Sequence, residues 1–376
     1  MPDCMPLFAV CDFTMGQSPS SDTYNTNGDG MPFYQGNADF GKRSPSPRVW
    51  CNSPKKTANE GDILISVRAP IGAINIAAEQ CCIGRGLAAL AVRPDAATRD
   101  YLEHYLRYKR PELERRGTGS TFKAVGKKIF AEMTLPIVSV DEQSEIAKKL
   151  NNALELQEEA ASQISMLDEL VKSRFVEMFG DPIENPKQLP IMRIDEIADV
   201  QTGATPLRSN AAYYGGSIPW VKTGEVAAGL LEEAEETITE LALQETNCKL
   251  FPAGTILVAM YGQGDTRGKA AILRYAAATN QACAAILLNE EYDADFILTQ
   301  LNLRYKDLRS RSLGGNQQNL SLKIIKAYEL IVPSTEQQRE FMAFVQQIDK
   351  LKFETQQAIE KLQLLYDSLA QEYFGS

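Results

Sequence analysis

The sequence predicts an α+β protein with two similar globular domains, each with a small β-rich core, separated by two long helices that form an antiparallel coiled coil. Three observations support this fold. The chain has 376 residues, 44% of them hydrophobic and 23% charged, which suits two compact domains. Two long segments carry the apolar spacing of a coiled coil. These segments and the regions before them occur twice, which predicts an internal pseudo-twofold repeat.

The first globular region, predicted over residues 1–140, contains short apolar strands between turn signals. Glu60-Gly-Asp-Ile-Leu-Ile-Ser-Val-Arg68 places a turn glycine before one strand. Amphipathic spacing predicts a helix over residues 101–108, and a glycine-containing loop follows at residues 117–122. The single histidine, His104, lies in this helix, where we expect a partly exposed side chain. One histidine excludes most acid–base and His–metal chemistry.

Long helices are predicted over residues 141–180 and 334–376. Their apolar residues alternate at spacings of three and four, and the two seams are 195 residues apart. A helix of about 35 residues spans on the order of 50 Å, so we expect a spacer; the competing expectation is that each helix only packs on its own domain. The seams consist of Ile146, Leu150, Ala153, Gln157, Ala160, Ile164, Leu167 and Val171, and of Phe341, Val345, Ile348, Lys352, Thr355, Ile359, Leu362 and Tyr366.

The second globular region, predicted over residues 181–333, begins with a proline-marked linker and repeats the motifs of the first. It contains a helix predicted over residues 296–305 and a glycine-containing loop over residues 314–319. Three motifs recur in it: Ala253-Gly-Thr-Ile-Leu-Val-Ala-Met-Tyr261 repeats the turn and strand, Thr202-Gly-Ala-Thr-Pro206 parallels Met15-Gly-Gln-Ser-Pro19, and Ile218-Pro-Trp-Val-Lys222 parallels Met31-Pro-Phe-Tyr-Gln35.

Charge is unevenly distributed along the chain, whose net charge is −10. Residues 42–128 contain 17 Lys and Arg against 8 Asp and Glu, whereas residues 141–181 contain 4 against 10. A shorter basic cluster lies between Arg304 and Lys326. Such clusters fit a nucleic-acid surface or ordinary solvated faces, and charge alone leaves both open.

Several function classes are disfavoured by missing motifs. Seven cysteines without C-x-x-C spacing predict reduced thiols and no zinc site. Neither an apolar run of 18 residues nor a basic signal-peptide start is present, so we expect a cytoplasmic protein. Residues 261–270 miss the phosphate-loop pattern, because Gln263 and Ala270 replace its first glycine and its Ser or Thr. With no adenine-methyltransferase tetrapeptide of the Asn/Asp-Pro-Pro-aromatic type either, we expect binding rather than catalysis, and no metal or cofactor on this chain.

The order of parts and several motifs resemble the specificity (S) subunit of Type I restriction-modification systems. The resemblance covers nearly the whole chain, although this sequence begins almost at its first recognition domain, with little of the preceding helix of longer members. It is carried by Gly61-Asp-Ile-Leu-Ile-Ser-Val-Arg-Ala-Pro70, the block from Ile218 to Gly224, and the helix openings Glu142-Gln143 and Glu336-Gln337.

The resemblance implies that each globular region is a target-recognition domain, which reads one half of an asymmetric bipartite site in double-stranded DNA. It also implies that the helices set the separation of the half-sites and dock two methyltransferase (M) subunits, which hold S-adenosylmethionine and methylate adenine at N6. Restriction (R) subunits would add translocation and cleavage that use ATP and Mg²⁺. All three cofactors are therefore expected on partner subunits only.

DNA contacts are expected from loop residues beside Gly or Pro. Lys and Arg suit phosphates, whereas Arg, Lys, Asn and Gln can read base edges. An ordinary turn or surface role is an equal alternative for each residue, and the amide run from Gly314 to Asn319 is the sharpest candidate. The candidates are Gln17, Ser18, Tyr24, Gln35, Asn37, Lys42, Arg43, Arg68, Arg85, Thr121 and Lys123 in the first region, and Thr205, Arg208, Lys222, Thr223, Tyr261, Gln263, Arg267, Lys269, Gln317, Gln318 and Asn319 in the second.

Two other function classes stay open on the sequence alone. A coiled-coil scaffold that binds proteins would show no salt-dependent DNA binding. A nuclease or methyltransferase with an unrecognised site could use carboxylate-bound metal and would act alone once given metal or cofactor. A specificity subunit, in contrast, would be inactive until M is added.

Overall fold

The computed structural model describes residues 4–119, 123–229, 231, 233–262, 264–312 and 319–375. The chain divides into two compact units. Unit 1 combines Met1–Gln163 with Thr355–Ser376, and unit 2 is Ile164–Glu354. Each unit thus contains a globular region and parts of both long helices. The predicted domain boundaries at residues 140, 180 and 333 divide the chain differently, because they separate the helices from the globular regions. Those boundaries stay a prediction.

Unit 1 contains short strands, short helices and one helix of intermediate length, and a long helix begins in it. The strands are β1 (Cys4–Pro6), β2 (Cys11–Met15), β3 (Tyr24–Asn25), β4 (Met31–Tyr34), β5 (Trp50–Cys51), β6 (Thr57–Ala58), β7 (Ile63–Ser66), β8 (Ile74–Ile76), β9 (Cys81–Ile83), β10 (Leu87–Val92) and β11 (Thr134–Pro136). The helices are α1 (Leu7–Val10), α2 (Arg99–Arg116), α3 (Lys127–Ala131) and α4 (Val140–Phe179), with 3₁₀ turns at Ser21–Thr23 and Asn37–Asp39.

A four-stranded antiparallel sheet in the order β2-β10-β7-β8 lies at the centre of unit 1. Successive side chains of a strand point to opposite faces. Ile63 and Ile65 of β7 therefore pack in the core that includes α2, whereas Leu64 packs against residues of the five-stranded sheet β3-β5-β4-β9-β6. Burial on both faces explains why these strands are continuous apolar runs in the sequence.

Unit 2 has the same plan. Its strands are β12 (Ile191–Arg193), β13 (Ala198–Thr202), β14 (Tyr214–Val221), β15 (Thr237–Ile238), β16 (Ile256–Ala259), β17 (Ala270–Ile272), β18 (Ala278–Thr279), β19 (Cys283–Leu288) and β20 (Glu329–Ile331). Its helices are α5 (Ile194–Ile197), α6 (Thr223–Ala228), α7 (Glu240–Glu245), α8 (Ala294–Leu303), α9 (Tyr305–Ser310), α10 (Leu322–Lys326) and α11 (Thr335–Phe374), with a 3₁₀ turn at Ala211–Tyr213.

The predicted repeat is confirmed by the sheets. The central sheet of unit 2 has the order β13-β19-β16-β17, strand for strand the order of unit 1, and a three-stranded sheet β15-β14-β18 packs beside it. The pairs β1–β11 and β12–β20 also correspond. The predicted turn glycines, Gly61 and Gly254, have φ values of 85° and 88°, a left-handed conformation that favours glycine.

The two long helices pair antiparallel within each unit, as predicted. In unit 1, Gln157 Nε2 of α4 donates to Gln363 Oε1 of α11 (3.1 Å). In unit 2, Lys352 Nζ of α11 lies 2.6 Å from Asp168 Oδ1 of α4. Every predicted seam position is buried or half-buried. Gln157 and Lys352, polar residues within the two apolar seams, therefore face the partner helix and bond to it.

The predicted correspondence between the first turns of the two long helices is shifted by one residue in the structure. Gln143 is buried and donates through Nε2 to the Val138 carbonyl (3.1 Å), and Gln338 donates in the same way to the Pro333 carbonyl (2.8 Å). The counterpart of Gln143 is thus Gln338 rather than Gln337, which agrees with the 195-residue spacing of the seams.

The expectation that His104 is partly exposed is wrong. Its side chain is 1% exposed, because α2 packs against both long helices in unit 1. The ring nitrogens lie 2.9 Å from the Tyr366 hydroxyl and 3.0 Å from Asn151 Oδ1. His104 is therefore a hydrogen-bonded core residue.

In the described part of the chain, no helix combines the length and apolarity that a membrane crossing requires.

Candidate nucleic-acid interface

Several loops of unit 1 meet at one edge of the central sheet, where β2 and β7 end and β8 and β10 begin. Backbone hydrogen bonds hold them together: Gln17 N–H donates to Ile83 O (2.9 Å), Gly84 N–H to Tyr34 O (2.8 Å), Val67 N–H to Gly86 O (2.9 Å) and Val125 N–H to Val67 O (2.9 Å). We name residues 16–19, 35–39, 67–70, 84–86, 117–119 and 123–125 loop surface 1.

Unit 2 has the same set of bonds at the same edge of its sheet. Ala204 N–H donates to Thr279 O (3.0 Å), Asn280 N–H to Val221 O (3.3 Å), Met260 N–H to Ala282 O (2.8 Å) and Leu320 N–H to Met260 O (3.0 Å). We name residues 203–208, 222–223, 260–262, 264–269, 280–282 and 319–320 loop surface 2; position 263 is not described. The backbone frame of the loops is thus duplicated bond for bond.

The glycine shared by the first motif of each unit is explained by this frame. A Cβ on Gly16 would overlap the Gly84 carbonyl oxygen, and one on Gly203 would overlap the Thr279 carbonyl oxygen. Only glycine lets the two backbones approach so closely. The motifs around Gly16 and Gly203 are therefore needed to build the loop surfaces.

Loop surface 1 brings together most of the candidates of the first region. The Ser18 hydroxyl accepts from the Arg85 N–H (3.3 Å), and the Gln35 N–H donates to Asp39 (2.7 Å). Three cations on this surface, Arg68, Arg85 and Lys123, are exposed, and among the described residues none of them has an acidic partner. The candidates on loop surface 1 are Gln17, Ser18, Gln35, Asn37, Arg68, Arg85 and Lys123.

Three other candidates of the first region lie elsewhere. Arg43 accepts through its carbonyl from the Ile76 N–H (2.8 Å) on the outer side of β8, and Lys42 pairs with Glu158 of α4 (2.6 Å). Tyr24 lies beneath the loops, where its hydroxyl donates to the Pro19 carbonyl (2.9 Å). Tyr24 thus supports loop surface 1, whereas Lys42 and Arg43 are not brought to it.

Loop surface 2 brings together the described candidates of the second region. The Thr205 hydroxyl bonds to Gln281, and Lys269 Nζ lies 4.6 Å from the centroid of the Tyr305 ring. Arg309 of α9 holds the loop by donating to the Arg267 carbonyl (3.0 Å). The candidates on this surface are Thr205, Arg208, Lys222, Thr223, Tyr261, Arg267, Lys269 and Asn319; Thr121, Gln263, Gln317 and Gln318 lie outside the described residues.

Two cations of loop surface 2 are held by carboxylates. Arg208 Nη1 lies 2.6 Å from Glu236 Oε2, and Lys222 Nζ lies 2.9 Å from Glu235 and 3.0 Å from Glu236. Hydrogen bonds from Arg208 and then Lys222 lower the pKa of Glu236 below its usual value. Arg208 and Lys222 of loop surface 2 are therefore already paired with carboxylates, whereas Arg68, Arg85 and Lys123 of loop surface 1 have no acidic partner among the described residues.

Two polar residues near the surfaces escaped the sequence analysis. Arg48 donates to Asp39 and to the Ala38 carbonyl, and it lines a cavity of about 450 Å³ together with Gln35 and Asn37. Gln281 bonds to Thr205. Alignment of the two repeats places Gln281 at the position of Arg85 and could have revealed it, whereas Arg48 comes to the surface through strand pairing that no local pattern signals.

Metal binding has no support in the described residues, because no group of three or more His, Cys, Asp or Glu side chains there is arranged to hold an ion. The chemistry available at both surfaces is hydrogen bonding and charge. Arginine, lysine, amide and hydroxyl groups on exposed loops are the groups that contact phosphates and base edges.

Two copies of one fold, each with a loop surface at the same edge of its central sheet, define a protein with a duplicated loop surface. The sequence pattern of the Type I restriction modification DNA specificity domain matches residues 5–165 and 186–364. The chain belongs to this family, as its motifs predict, and the role named for the family is specificity rather than catalysis.

Two proteins similar to this chain are named as specificity subunits. The putative type I restriction enzyme MjaX specificity subunit of Methanocaldococcus jannaschii is 42% identical over 153 residues, 40% of this chain and 36% of that protein. The MjaIX specificity subunit of the same organism is 24% identical over 330 residues, 82% of this chain and 76% of that protein. The match therefore spans about a third of the first relative and three quarters of the second.

Solved structures have the same fold. The S subunit of the Type I restriction-modification system from M. genitalium has a TM-score of 0.55 at 18% identity, with 99% of this chain and 96% of that chain covered. A chain from a structural study of complex assembly and conformational transition of the type I R-M system has a TM-score of 0.65 at 16% identity, with 99% and 97% covered. The predicted fold class is confirmed.

Proposed function

We propose that this chain is the DNA sequence-specificity subunit of a Type I restriction-modification enzyme, and that each loop surface reads one half of an asymmetric bipartite site. The observation that carries the proposal is the duplicated loop frame with different side chains on it. Equivalent positions hold Arg68 and Tyr261, Arg85 and Gln281, and Gln35 and Lys222. One frame with two sets of donors and acceptors suits two different half-sites.

The partners follow from the same role. The paired helices α4 and α11 would set the distance between half-sites and dock two M subunits, and R subunits would join that complex in the cytoplasm. S-adenosylmethionine, ATP and Mg²⁺ would be held by those partners. This chain would contribute sequence choice, with N6-adenine methylation and cleavage performed by the M and R subunits.

The proposal is tested by mapping methylated adenine on DNA exposed to the M subunits with and without this chain. We expect methylation at one bipartite motif that appears only when the chain is present. Methylation without any motif, by M subunits of proven activity, would overturn the proposal and favour a coiled-coil scaffold that binds proteins.

A further inference from the structure

Arg208 on loop surface 2 contacts three other side chains although its own side chain is 54% exposed. Its ζ carbon lies 4.7 Å from the centroid of the Tyr214 ring and 5.0 Å from that of Trp220. Nη1 donates to Glu236 Oε2 at 2.6 Å. A guanidinium in contact with two aromatic rings and a carboxylate is restricted in orientation, because cation–π contact and hydrogen bonding both depend on geometry.

The aromatic rings are themselves fixed to loop surface 2. Trp220 is 1% exposed and donates through Nε1 to the Ala204 carbonyl (3.1 Å). Tyr214 donates through its hydroxyl to the Pro206 carbonyl (2.6 Å). The two rings under Arg208 therefore belong to β14 and are hydrogen-bonded to the loop that follows β13.

The carboxylate is also fixed. Glu236 accepts from Lys222 as well as from Arg208, and its backbone carbonyl accepts from the Trp220 N–H (2.9 Å). Exposed ion pairs contribute little to stability, since holding two long side chains costs entropy. The contacts of this half-exposed arginine therefore contribute little to the stability of the fold. They are better explained by a role in recognition, for which a fixed side-chain orientation is needed.

The donors left over on Arg208 match guanine. Nη1 is committed to Glu236, and Nη2 lies 3.5 Å from the second carboxylate oxygen. Among the described residues, none accepts from Nε. The parallel N–H groups on the Nε edge of the guanidinium fit O6 and N7 of guanine in the major groove, the commonest specific contact of arginine with DNA.

The repeat indicates that this feature belongs to unit 2. The 3₁₀ turns Ser21–Thr23 and Ala211–Tyr213 correspond, and the tyrosine after each turn donates to the carbonyl of Pro19 or Pro206. The segment between that proline and the turn is three residues longer in unit 2, and Arg208 lies in this longer segment, which unit 1 lacks. We propose that Arg208, oriented by Tyr214, Trp220 and Glu236, reads a guanine in the half-site recognised by unit 2.

This inference rests on the proposed function, and it is tested with the complex of this chain and its M subunits. Duplexes carrying the mapped motif compete for the complex, with each guanine replaced in turn by 7-deazaguanine, which lacks N7. For the wild type we expect about tenfold weaker binding, or more, at one guanine of one half-site. Arg208→Ala should lose that sensitivity and keep all others, and Arg208→Lys should keep only part of it.

The matched control is Arg274→Ala. Arg274 is 62% exposed, pairs with Asp295 at 2.9 Å and follows β17 at the opposite edge of the same sheet. This variant should keep the wild-type pattern. The proposal is overturned if the motif has no guanine in either half-site, or if Arg208→Ala and Arg208→Lys both keep the wild-type sensitivity at every guanine. A wild-type complex with no motif preference would instead refute the proposed function.

Discussion

His104 belongs to a chain of hydrogen bonds that joins three helices of unit 1. Asn151 Nδ2 donates to Asp100 Oδ2 (3.2 Å), so Asn151 Oδ1 accepts from the His104 Nε2–H. His104 Nδ1 is then the acceptor for the Tyr366 hydroxyl. This assignment leaves the ring neutral with both nitrogens satisfied, and it connects α2 with α4 and α11.

Removal of the Tyr366 hydroxyl should destabilise unit 1. Tyr366→Phe would leave His104 Nδ1 buried without a donor, which costs about 1–3 kcal/mol. Urea denaturation followed by circular dichroism should report this loss. Tyr373→Phe is the control, because Tyr373 is only half-buried and accepts from Lys149 at 3.3 Å; equal losses for the two variants would count against the assigned bond.

Acidification should weaken the fold through the same histidine. Burial lowers the pKa of His104 below its usual value of 6.5, so the unfolded chain takes up this proton at a higher pH than the folded chain. The contribution of His104 to the free energy of unfolding should be constant well above pH 6.5 and should fall as the pH drops below it. Because the chain has one histidine, its NMR signal can be followed alone, and a folded-state titration midpoint at or above 6.5 would contradict this.

The sequence could not predict these residue-level features, and the reason is distance along the chain. The partners of His104 are 47 and 262 residues away, so no local pattern reveals its burial. Proximity to Gly or Pro selected Arg68 and Arg85, which lie on loop surface 1. The same criterion selected Lys42 and Arg43, which strand pairing and an ion pair with α4 place elsewhere. Their role in DNA binding stays a prediction.

At the scale of elements, periodicity predicted most of the fold. The heptad spacing in α4 and α11 and the apolar runs in β7, β10, β16 and β19 are local signals, and each corresponds to the observed burial. The pairing of very short strands such as β3 and β5, two residues each, has no such signal. The strand order of the five-stranded sheet in unit 1 and of the three-stranded sheet in unit 2 is therefore known only from the structure.

The helix seam should be energetically distinct from the outer face of the same helix. Leu150 of α4 is fully buried, whereas Leu156 is 50% exposed. We expect Leu150→Ala to lower the free energy of unfolding by about 2–5 kcal/mol and Leu156→Ala to change it by about 0.5 kcal/mol or less. Denaturant midpoints of both variants provide the measurement, and a larger loss for Leu156→Ala would refute the assigned seam.

At the scale of the whole molecule, the two units differ in how their cations are used. Loop surface 1 carries Arg68, Arg85 and Lys123 without described acidic partners, whereas Lys222 and Arg208 of loop surface 2 are paired with glutamates. A cation already paired with a carboxylate releases fewer counterions when it meets a phosphate. Arg68, Arg85 and Lys123 are therefore expected to supply more of the salt-dependent affinity than Arg208 and Lys222.

This difference can be measured from the salt dependence of DNA binding by the complex with M subunits. Arg85→Ala should reduce the slope of log K against log salt concentration by about 0.9, the value for one lost phosphate contact. Lys222→Ala should reduce it by less, because its charge is already balanced by Glu235 and Glu236. A larger reduction for Lys222→Ala would show that the paired cations become the main phosphate contacts on binding.

Residues 355–375 complete the core of unit 1, where Phe374 packs against Tyr101, Tyr105 and Tyr108. During synthesis on the ribosome, the other part of this core is made roughly 190 residues earlier. At about 5–20 residues per second, the nascent first unit waits roughly 10–40 s for its missing helix. Unit 2, a continuous stretch of chain, can fold during that delay, so we expect its core to be completed before that of unit 1, although unit 1 begins first.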